Sequence, residues 1–416
     1  MITTGLIVNL LLILCVAWFL GSLFTRFGLP AMLGELLAGV ILGPPLLGIV
    51  LSSEPIELLA DLGIFFVMFH TGMELDPREL LEHIWPSLGV ALGGFVLPFV
   101  LGYLVAHFFG GNLYQSLFTG LGVSITAIAV QAVILHSMRI NRSAVGHIII
   151  GAAIADDILA LIALSTLLGL ARTGEVELAN LFFILLKVTG FFGITIFLGE
   201  FVFPRFSRRI TDKGGKAFTF AMAAALLMAY FAEIAGLHLV IGAFLAGQFV
   251  RREIMDEKVY EVIQDRFFGI SYGFLVPIFF ASLSFQLHLP WDLSFILFTA
   301  VLIGVAIVGK VVGCGLGAAL FGFNPWESAI IGFGMNGRGA VELVIATVVM
   351  NLSDELMKSK IISEPLLTDN EFSALVLMAF VTTFMAPICL KSAVKRTCTS
   401  VERAEFCQML DVEQEL

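Results

Sequence analysis

Two adjacent aspartates, Asp156 and Asp157, lie in the middle of a long and otherwise uncharged apolar segment, within the string GAAIADDILALIAL. A segment of this length is predicted to cross a bilayer, and an ionised carboxylate at its centre costs roughly 2.5 to 3.5 kcal/mol on insertion scales. Proteins hold carboxylates at membrane depth to strip water from a cation or to carry a proton. The sequence therefore predicts that this pair binds a cation, a proton or both.

Three more polar residues lie close to the centres of their own apolar segments: Thr126, Lys310 and Arg338. With the aspartates they predict one polar layer to which four spans contribute. Lys310 is too far from either end of its segment for its side chain to reach water, so an ion pair with an aspartate is favoured over a snorkelling lysine.

Arg338 lies in the string GFGMNGRGAVEL, whose glycines weaken a helix interior and free backbone groups. We predict a break in the helix there. The guanidinium can neutralise the carbonyl ends of two half-helices, which would be a structural role. The sequence supports this structural role and a functional role of Arg338 equally well. Glu342 lies one turn further on and is predicted to be the i,i+4 ion-pair partner of Arg338. An earlier span has the polar stretch Ser124 to Thr126 at the equivalent point, where composition gives a weaker signal of a break.

Composition places these segments in a membrane protein. The 416 residues are 59% hydrophobic and 13% charged, and the mean hydropathy is +1.00. The net charge of -10 and the scattered basic residues exclude a nucleic-acid-binding surface. The chain has no phosphate-binding loop, nucleophile elbow or dinucleotide fingerprint, so we expect neither an enzyme nor ATP-driven transport. The five cysteines show no pattern, so we expect no disulfide framework and no CxxC metal site.

Apolar length predicts an all-α polytopic membrane protein with about 13 transmembrane helices. With the N-terminus outside and the C-terminus cytoplasmic, 17 Lys and Arg residues fall on the inside and 3 on the outside, as the positive-inside rule requires. The predicted spans are 5–25, 31–44, 56–73, 85–109, 114–138, 144–171, 179–203, 216–235, 238–251, 267–285, 292–321, 326–351 and 371–390.

The sequence also repeats itself. GLPAMLGELLAG (28–39) matches GLHLVIGAFLAG (236–247) at six of twelve positions, and TGLGVSITAIAVQ (119–131) echoes IGFGMNGRGAVEL (331–343). The shift of seven spans is odd, which predicts an inverted-topology repeat with two crossed discontinuous helices at its centre. The predicted divisions are a first repeat with spans 1–6 (1–178), a linker helix and cytoplasmic loop (179–215), a second repeat with spans 8–13 (216–390) and a cytoplasmic tail (391–416).

Several motifs together resemble the bacterial monovalent cation/proton antiporters, specifically the second of the two large cation/proton antiporter families. They are GELLAGVILGP, SITAIAVQ, AIADDILAL, FLVPIFFASLSF, IVGKVVG and GMNGRGAVELVIA. The double aspartate with a lysine in span 11 is similar to the electrogenic sodium/proton subgroup. In many relatives a glutamate stands two residues after the arginine of the broken helix. Here that position is Ala340 and the acid is Glu342.

The resemblance implies that Asp157 carries the ion and that Asp156 pairs with Lys310. It implies Na+ or Li+ as the cation, electrogenic exchange for protons, a homodimer and a place in the inner membrane of the cell. No cofactor is expected. Ser124 and Thr126, with freed backbone carbonyls, are the predicted supporting ligands of the cation. We expect spans 4–6 and 11–13 to move against a scaffold of spans 1–3 and 8–10.

Two alternatives stay open. Potassium/proton exchange differs only in cavity size and ligand number, which the sequence does not show. A non-transporting sensor or channel-like subunit is the other. A channel predicts a continuous polar stripe along several spans, and a degenerate sensor predicts the loss of an aspartate or of the lysine. The chain shows neither.

Overall fold

The computed structural model describes residues 4–27, 29–75, 77–173, 178–202, 216–250, 257–287, 292–360, 362–399 and 407. Within these ranges the fold is all-helical, with no strand. This confirms the all-α part of the predicted fold class. In a bilayer an isolated apolar segment must satisfy its own backbone hydrogen bonds, and the α-helix does so within one segment.

The helices, numbered in chain order, are α1 (Thr4–Arg26), α2 (Ala31–Leu42), α3 (Glu54–Glu74), α4 (Pro77–Glu82), α5 (Ile84–Phe108), α6 (Leu113–Ser124), α7 (Ile128–Ser137), α8 (Ala144–Thr173), α9 (Leu178–Phe197), α10 (Lys216–Ala235), α11 (Leu239–Gly247), α12 (Glu257–Ile270), α13 (Val276–Leu283), α14 (Leu293–Leu320), α15 (Pro325–Gly334), α16 (Ala340–Lys358) and α17 (Asp369–Thr399). A π-helical turn, Leu198–Val202, follows α9, and another, Ser271–Leu275, joins α12 to α13.

Nine helical stretches in the described ranges are long and apolar enough to cross a membrane, and two shorter apolar helices accompany them. Each of the thirteen predicted spans coincides with a helix or a pair of helices. The tenth begins earlier than expected, because α12 starts at Glu257 and continues through the π turn into α13. The number of helices that cross the bilayer stays a prediction.

Two spans are interrupted. The fifth is divided into α6 and α7 by an extended backbone at Ile125 to Ala127, and the twelfth into α15 and α16 by residues 335–339. The predicted break at the Arg338 glycines is therefore present, and so is its weaker counterpart. In both spans the first half-helix opens with a capping box, formed by Asn112 with Gln115 and by Asn324 with Glu327.

The bounds of these helices repeat at the spacing of the sequence echo. Helices α15 and α16 begin 212 residues after α6 and α7, and the two capping boxes have the same separation. Helix α11 begins 208 residues after α2. These coincidences support the repeat in the sequence. The inverted orientation of the two halves stays a prediction.

The chain forms two compact units. The first contains Met1–Glu79 and Phe182–Phe285, and the second contains Leu80–Leu181 and Gln286–Leu416. The first unit contains the spans of the predicted scaffold together with the linker span. The second unit contains the spans of the predicted moving bundle. Each predicted repeat, in contrast, contributes residues to both units. The division into units therefore does not test the predicted boundaries of the repeats.

Close backbone contacts hold each unit together. In the first unit a Cβ at Gly72 would overlap the carbonyl of Phe244, so only glycine allows α3 and α11 to approach this closely. In the second unit Gly93 and Gly313 have the same role between α5 and α14. Apolar side chains fill the remainder of the second unit, including Leu121, Leu302, Ala306, Leu375 and Met378.

The cysteine expectation is wrong at one point, because Cys398 and Cys407 form a disulfide with a sequence separation of 9. The spacing of cysteines in the sequence cannot reveal an isolated disulfide. Such a disulfide requires only that the fold brings two cysteines to a suitable Cα–Cα distance, which is 5.5 Å here. The predicted cytoplasmic loop after span 7 (204–215) and much of the predicted tail (400–406 and 408–416) lie outside the described residues.

Candidate ion-binding site

The two aspartates lie near the middle of α8 and are both buried, with Asp156 fully buried and Asp157 7% exposed. Consecutive residues of an α-helix point about 100° apart around its axis. The two carboxylates therefore meet different neighbours.

Asp156 faces α14. Its Oδ2 and Oδ1 atoms lie 3.3 and 3.4 Å from Nζ of Lys310, which is fully buried as well. The same ammonium group donates a shorter hydrogen bond of 2.5 Å to the backbone carbonyl of Ser124, the last residue of α6. The lysine therefore links the aspartate to the end of a half-helix, where carbonyl groups have no helical partner.

Asp157 has no such partner. Neither of its carboxylate oxygens accepts a hydrogen bond from any described residue, although both are buried. Asp156 and Lys310 are close enough to act on it electrostatically. A buried carboxylate with two unused oxygens is costly unless something else neutralises it, such as a proton or a cation.

The two breaks contact each other. The amide of Ala127, at the start of α7, donates a hydrogen bond of 3.2 Å to the carbonyl of Gly337. The side-chain amide of Gln131 donates to the same carbonyl at 3.0 Å. A Cβ at Gly337 would be 2.7 Å from Oε1 of Gln131 and 2.8 Å from Cγ1 of Val130, so a larger residue at this crossing would displace both side chains.

Arg338 extends from one break to the other. Its Nη1 donates to the carbonyls of Gly122 and Ile125 at 3.2 and 3.0 Å, at the C-terminal end of α6. Glu342 lies 3.9 Å from the same nitrogen, and both side chains are 1% exposed. The positive charge thus compensates the negative end of a half-helix, and the acid one turn away compensates the arginine.

The predicted supporting ligands lie in the same layer. Thr126 is fully buried, and its hydroxyl is close enough to Asp156 to act on it electrostatically. This hydroxyl makes no hydrogen bond of normal geometry with any described residue. The hydroxyl of Ser124 donates to Leu121 within α6 at 2.7 Å, so this residue contributes its carbonyl, rather than its hydroxyl hydrogen, to the site. All seven predicted site residues belong to the second unit.

Sequence reasoning missed two positioning residues. Gln131 holds the Gly337 carbonyl, and the hydroxyl of Thr383 on α17 both accepts from the Arg338 amide at 2.9 Å and donates to the Arg338 carbonyl at 2.6 Å. A partial signal for both was present in the sequence, because each is a polar residue in an apolar span. Other acidic residues in apolar segments, Glu35 and Asp61, belong to the first unit.

Comparison with known proteins gives one consistent result. The chain is 32% identical over 375 residues to the Na+/H+-K+ antiporter GerN of Bacillus cereus, covering 89% of this chain and 92% of that protein. It is 28% identical over 440 residues to the high-affinity Na+/H+ antiporter NhaS3 of Synechocystis, covering 94% and 90%. The solved structure of the sodium proton antiporter MjNhaP1 from Methanocaldococcus jannaschii aligns with a TM-score of 0.75 at 16% identity, covering 96% and 97%.

The similarity to MjNhaP1 shows a shared fold. The family model described as "Sodium/hydrogen exchanger, transmembrane" matches residues 10–396, which include both broken helices and every residue of the candidate site. The chain therefore belongs to the sodium/hydrogen exchanger family and is a multi-pass membrane transporter, not an enzyme.

Proposed function

We propose that this protein exchanges Na+ or Li+ for protons across the inner membrane of the cell, and that Asp157 binds the ion. Family membership supports the activity, as do the names of the relatives, several of which are Na+/H+ antiporters. The observation that carries the site is the buried carboxylate of Asp157, whose two oxygens have no hydrogen-bond partner among the described residues.

The exchange follows from competition at one carboxylate. A cation and a proton neutralise the same buried charge, so binding of one displaces the other. Asp156, the hydroxyl of Thr126 and the carbonyls freed at the helix breaks supply oxygen ligands of the kind that alkali cations require. The site lies wholly in the second unit, so a movement of that unit as a body carries the bound ion with it.

Lys310 supports an electrogenic cycle. When Na+ binds to Asp157, it brings a positive charge close to the Asp156–Lys310 pair. Loss of a proton from this pair at that step, and its return when the cation leaves, moves a second proton for each cation. The exchange then transfers net charge and responds to membrane potential.

Potassium/proton exchange is the second candidate, and one observation favours it. The relative GerN is named a Na+/H+-K+ antiporter. The two candidates share Asp157 and differ in the size of the cation accepted. Proton flux in proteoliposomes, compared in parallel with Na+, Li+ and K+ gradients, separates them.

The test of the site is Asp157→Asn. The amide has almost the same shape as the carboxylate but neither carries a charge nor exchanges a proton in the cycle. We expect a folded protein without cation-driven proton movement. Asp61→Asn is the matched control, because Asp61 is an exposed aspartate in a span of the first unit, and it should retain exchange. Normal exchange by folded Asp157→Asn protein would remove Asp157 from the ion-carrying role.

The homodimer and the membrane orientation belong to the same proposal. A scaffold that stays in place while the other unit moves is more easily anchored in a dimer than in a monomer. We expect the detergent-solubilised protein to have the mass of a homodimer, with the N-terminus outside and the C-terminus cytoplasmic. A fully active monomer, or labelling of the C-terminus from outside, would contradict this part of the proposal.

A further inference from the structure

Two buried amide side chains at the crossing of the broken helices have oxygens that the fold does not use. Gln131 on α7 is fully buried, and Asn336, in the break of the twelfth span, is 4% exposed. Neither Oε1 of Gln131 nor Oδ1 of Asn336 accepts a hydrogen bond from any described residue. A buried acceptor without a partner costs free energy, so a site that keeps two of them is expected to use them for a ligand.

Both residues adjoin Gly337. Asn336 precedes it in the chain, and Gln131 contacts it from α7. Nε2 of Gln131 donates to the Gly337 carbonyl at 3.0 Å, and Oε1 of Gln131 would lie 2.7 Å from a Cβ at this glycine. The nitrogen end of the amide is thus fixed by a hydrogen bond, and this bond also orients the oxygen. The unused oxygen of Gln131 is therefore held beside the residue that follows Asn336.

In the predicted orientation Asn336 lies on the cytoplasmic side of Asp157. A Cβ at Gly334, the last residue of α15, would be 2.5 Å from Cδ1 of Ile149 on α8. Ile149 precedes Asp157 by eight residues, which is about 12 Å along a helix that is predicted to start at the cytoplasmic face. Asn336 follows Gly334 by two residues and leads into the crossing. The two amides are therefore placed on the approach from the cytoplasm to Asp157.

The chemistry of these two oxygens suits an alkali cation. An amide oxygen carries the same partial negative charge as the backbone carbonyls that replace the water of alkali cations in selective sites. It does not bind a proton near neutral pH, so it can bind a cation without exchanging it for a proton. The positive guanidinium of Arg338 is bound elsewhere, because its Nη1 donates to the carbonyls of Gly122 and Ile125 at the end of α6, whereas Gln131 belongs to α7.

We propose that Gln131 and Asn336 supply neutral oxygen ligands to the cation between the cytoplasm and Asp157, and that they set which alkali cation the protein accepts. This inference rests on the proposed function and adds the determinant of selectivity to it. Na+ holds its water more tightly than K+, so it needs more ligand oxygens, or stronger ones, to replace that water. The choice between the two cations therefore depends on these amides, while Asp157 supplies the charge for which a proton competes.

The experiment is titration calorimetry of the full-length protein in detergent with Na+, Li+ and K+, in a buffer free of other alkali cations. Asn336→Leu keeps the size of the side chain and removes its oxygen. It should weaken Na+ binding about tenfold and K+ binding less, so the preference for Na+ over K+ falls. Asn336→Asp keeps the shape and makes the oxygen a stronger ligand, so the same preference should rise. An amide with a purely structural role predicts an unchanged ratio of the two affinities in both variants.

Gln248→Met is the matched control, because Gln248 is a buried amide side chain of the first unit, and its loss should leave the ratio of Na+ to K+ affinity at the parental value. If Asn336→Leu does not fold, the direction of the shift in Asn336→Asp decides. An unchanged ratio in the folded Asn336 variants, or a fall in Asn336→Asp, would overturn this inference alone if the parent binds a cation. Absence of Na+ and K+ binding by the parent would overturn the proposed function and this inference together.

Discussion

Replacing Lys310 by methionine tests the buried ion pair most directly. Methionine keeps an unbranched apolar side chain of similar shape, with a sulfur in place of one methylene, and it lacks the ammonium group. The parent lysine is fully buried, donates to the Ser124 carbonyl at 2.5 Å and lies 3.3 Å from Asp156. The variant therefore leaves a buried carboxylate without its counter-charge and a carbonyl at the end of α6 without its donor.

Removal of one partner of a buried ion pair costs about 3 to 5 kcal/mol, mostly because the other charge stays buried and alone. We expect Lys310→Met to lower the free energy of unfolding by an amount in that range. Asp156→Asn in the same background removes the stranded charge and should recover part of the loss. The double variant should be more stable than the sum of the two single effects by about 2 to 3 kcal/mol.

The assay is a double-mutant cycle, measured by denaturant titration in mixed micelles. Lys187→Met is the matched control, since Lys187 is an exposed lysine within an apolar helix, and its loss should change stability little. Additive effects of the Asp156 and Lys310 substitutions, with near-parental stability of Lys310→Met, would refute the ion pair as an energetic unit.

The same variant tests electrogenic transport. Moving one charge across the membrane is worth about 2.3 kcal/mol per 100 mV, so a cycle that transfers net charge responds steeply to an imposed potential. If Lys310 takes part in the second proton movement, any exchange that survives in Lys310→Met should respond little to the potential. An unchanged voltage response would end the argument for Lys310 as a coupling residue, even if the ion pair itself is real.

Two further predictions concern the crossing of the broken helices. Arg338→Gln should destabilise the protein by about 3 to 5 kcal/mol, because Glu342 is then a buried and unpaired acid, and Glu342→Gln in that background should recover part of the loss in the same unfolding assay. If Glu342→Gln recovers none of the lost stability, the ion pair at 3.9 Å contributes little to the free energy of unfolding. Gly337→Ala should cost about 1 to 3 kcal/mol, since its Cβ would be 2.7 Å from Oε1 of Gln131, whereas Gly304→Ala, where no atom lies within 4 Å, should be neutral or slightly stabilising. Equal stability of the two alanine variants would contradict the close packing at the crossing.

The break at Arg338 shows how far local sequence can be used. A cluster of glycines around an arginine predicts an interrupted helix wherever it occurs in an apolar segment, and the structure has that interruption at residues 335–339. The partner break at Ile125 to Ala127 has no glycine and would be an ordinary β-branched and alanine stretch in isolation. It is stabilised by groups from elsewhere: the Gly337 carbonyl, the Arg338 guanidinium and the Lys310 ammonium.

The sequence by itself determined that this chain is a helical membrane protein, which segments form its helices, and that two aspartates, a lysine and an arginine lie at similar depth. These properties are local, because the hydropathy and length of a single segment decide whether it crosses the bilayer as a helix and at what depth each of its residues lies. The family resemblance implied that Asp156 pairs with Lys310, but only the tertiary structure gives the contact itself and the absence of a hydrogen-bond partner for Asp157 among the described residues. That distinction depends on the rotation of α8 about its axis and on its register against α14, which packing between helices sets and no single segment encodes.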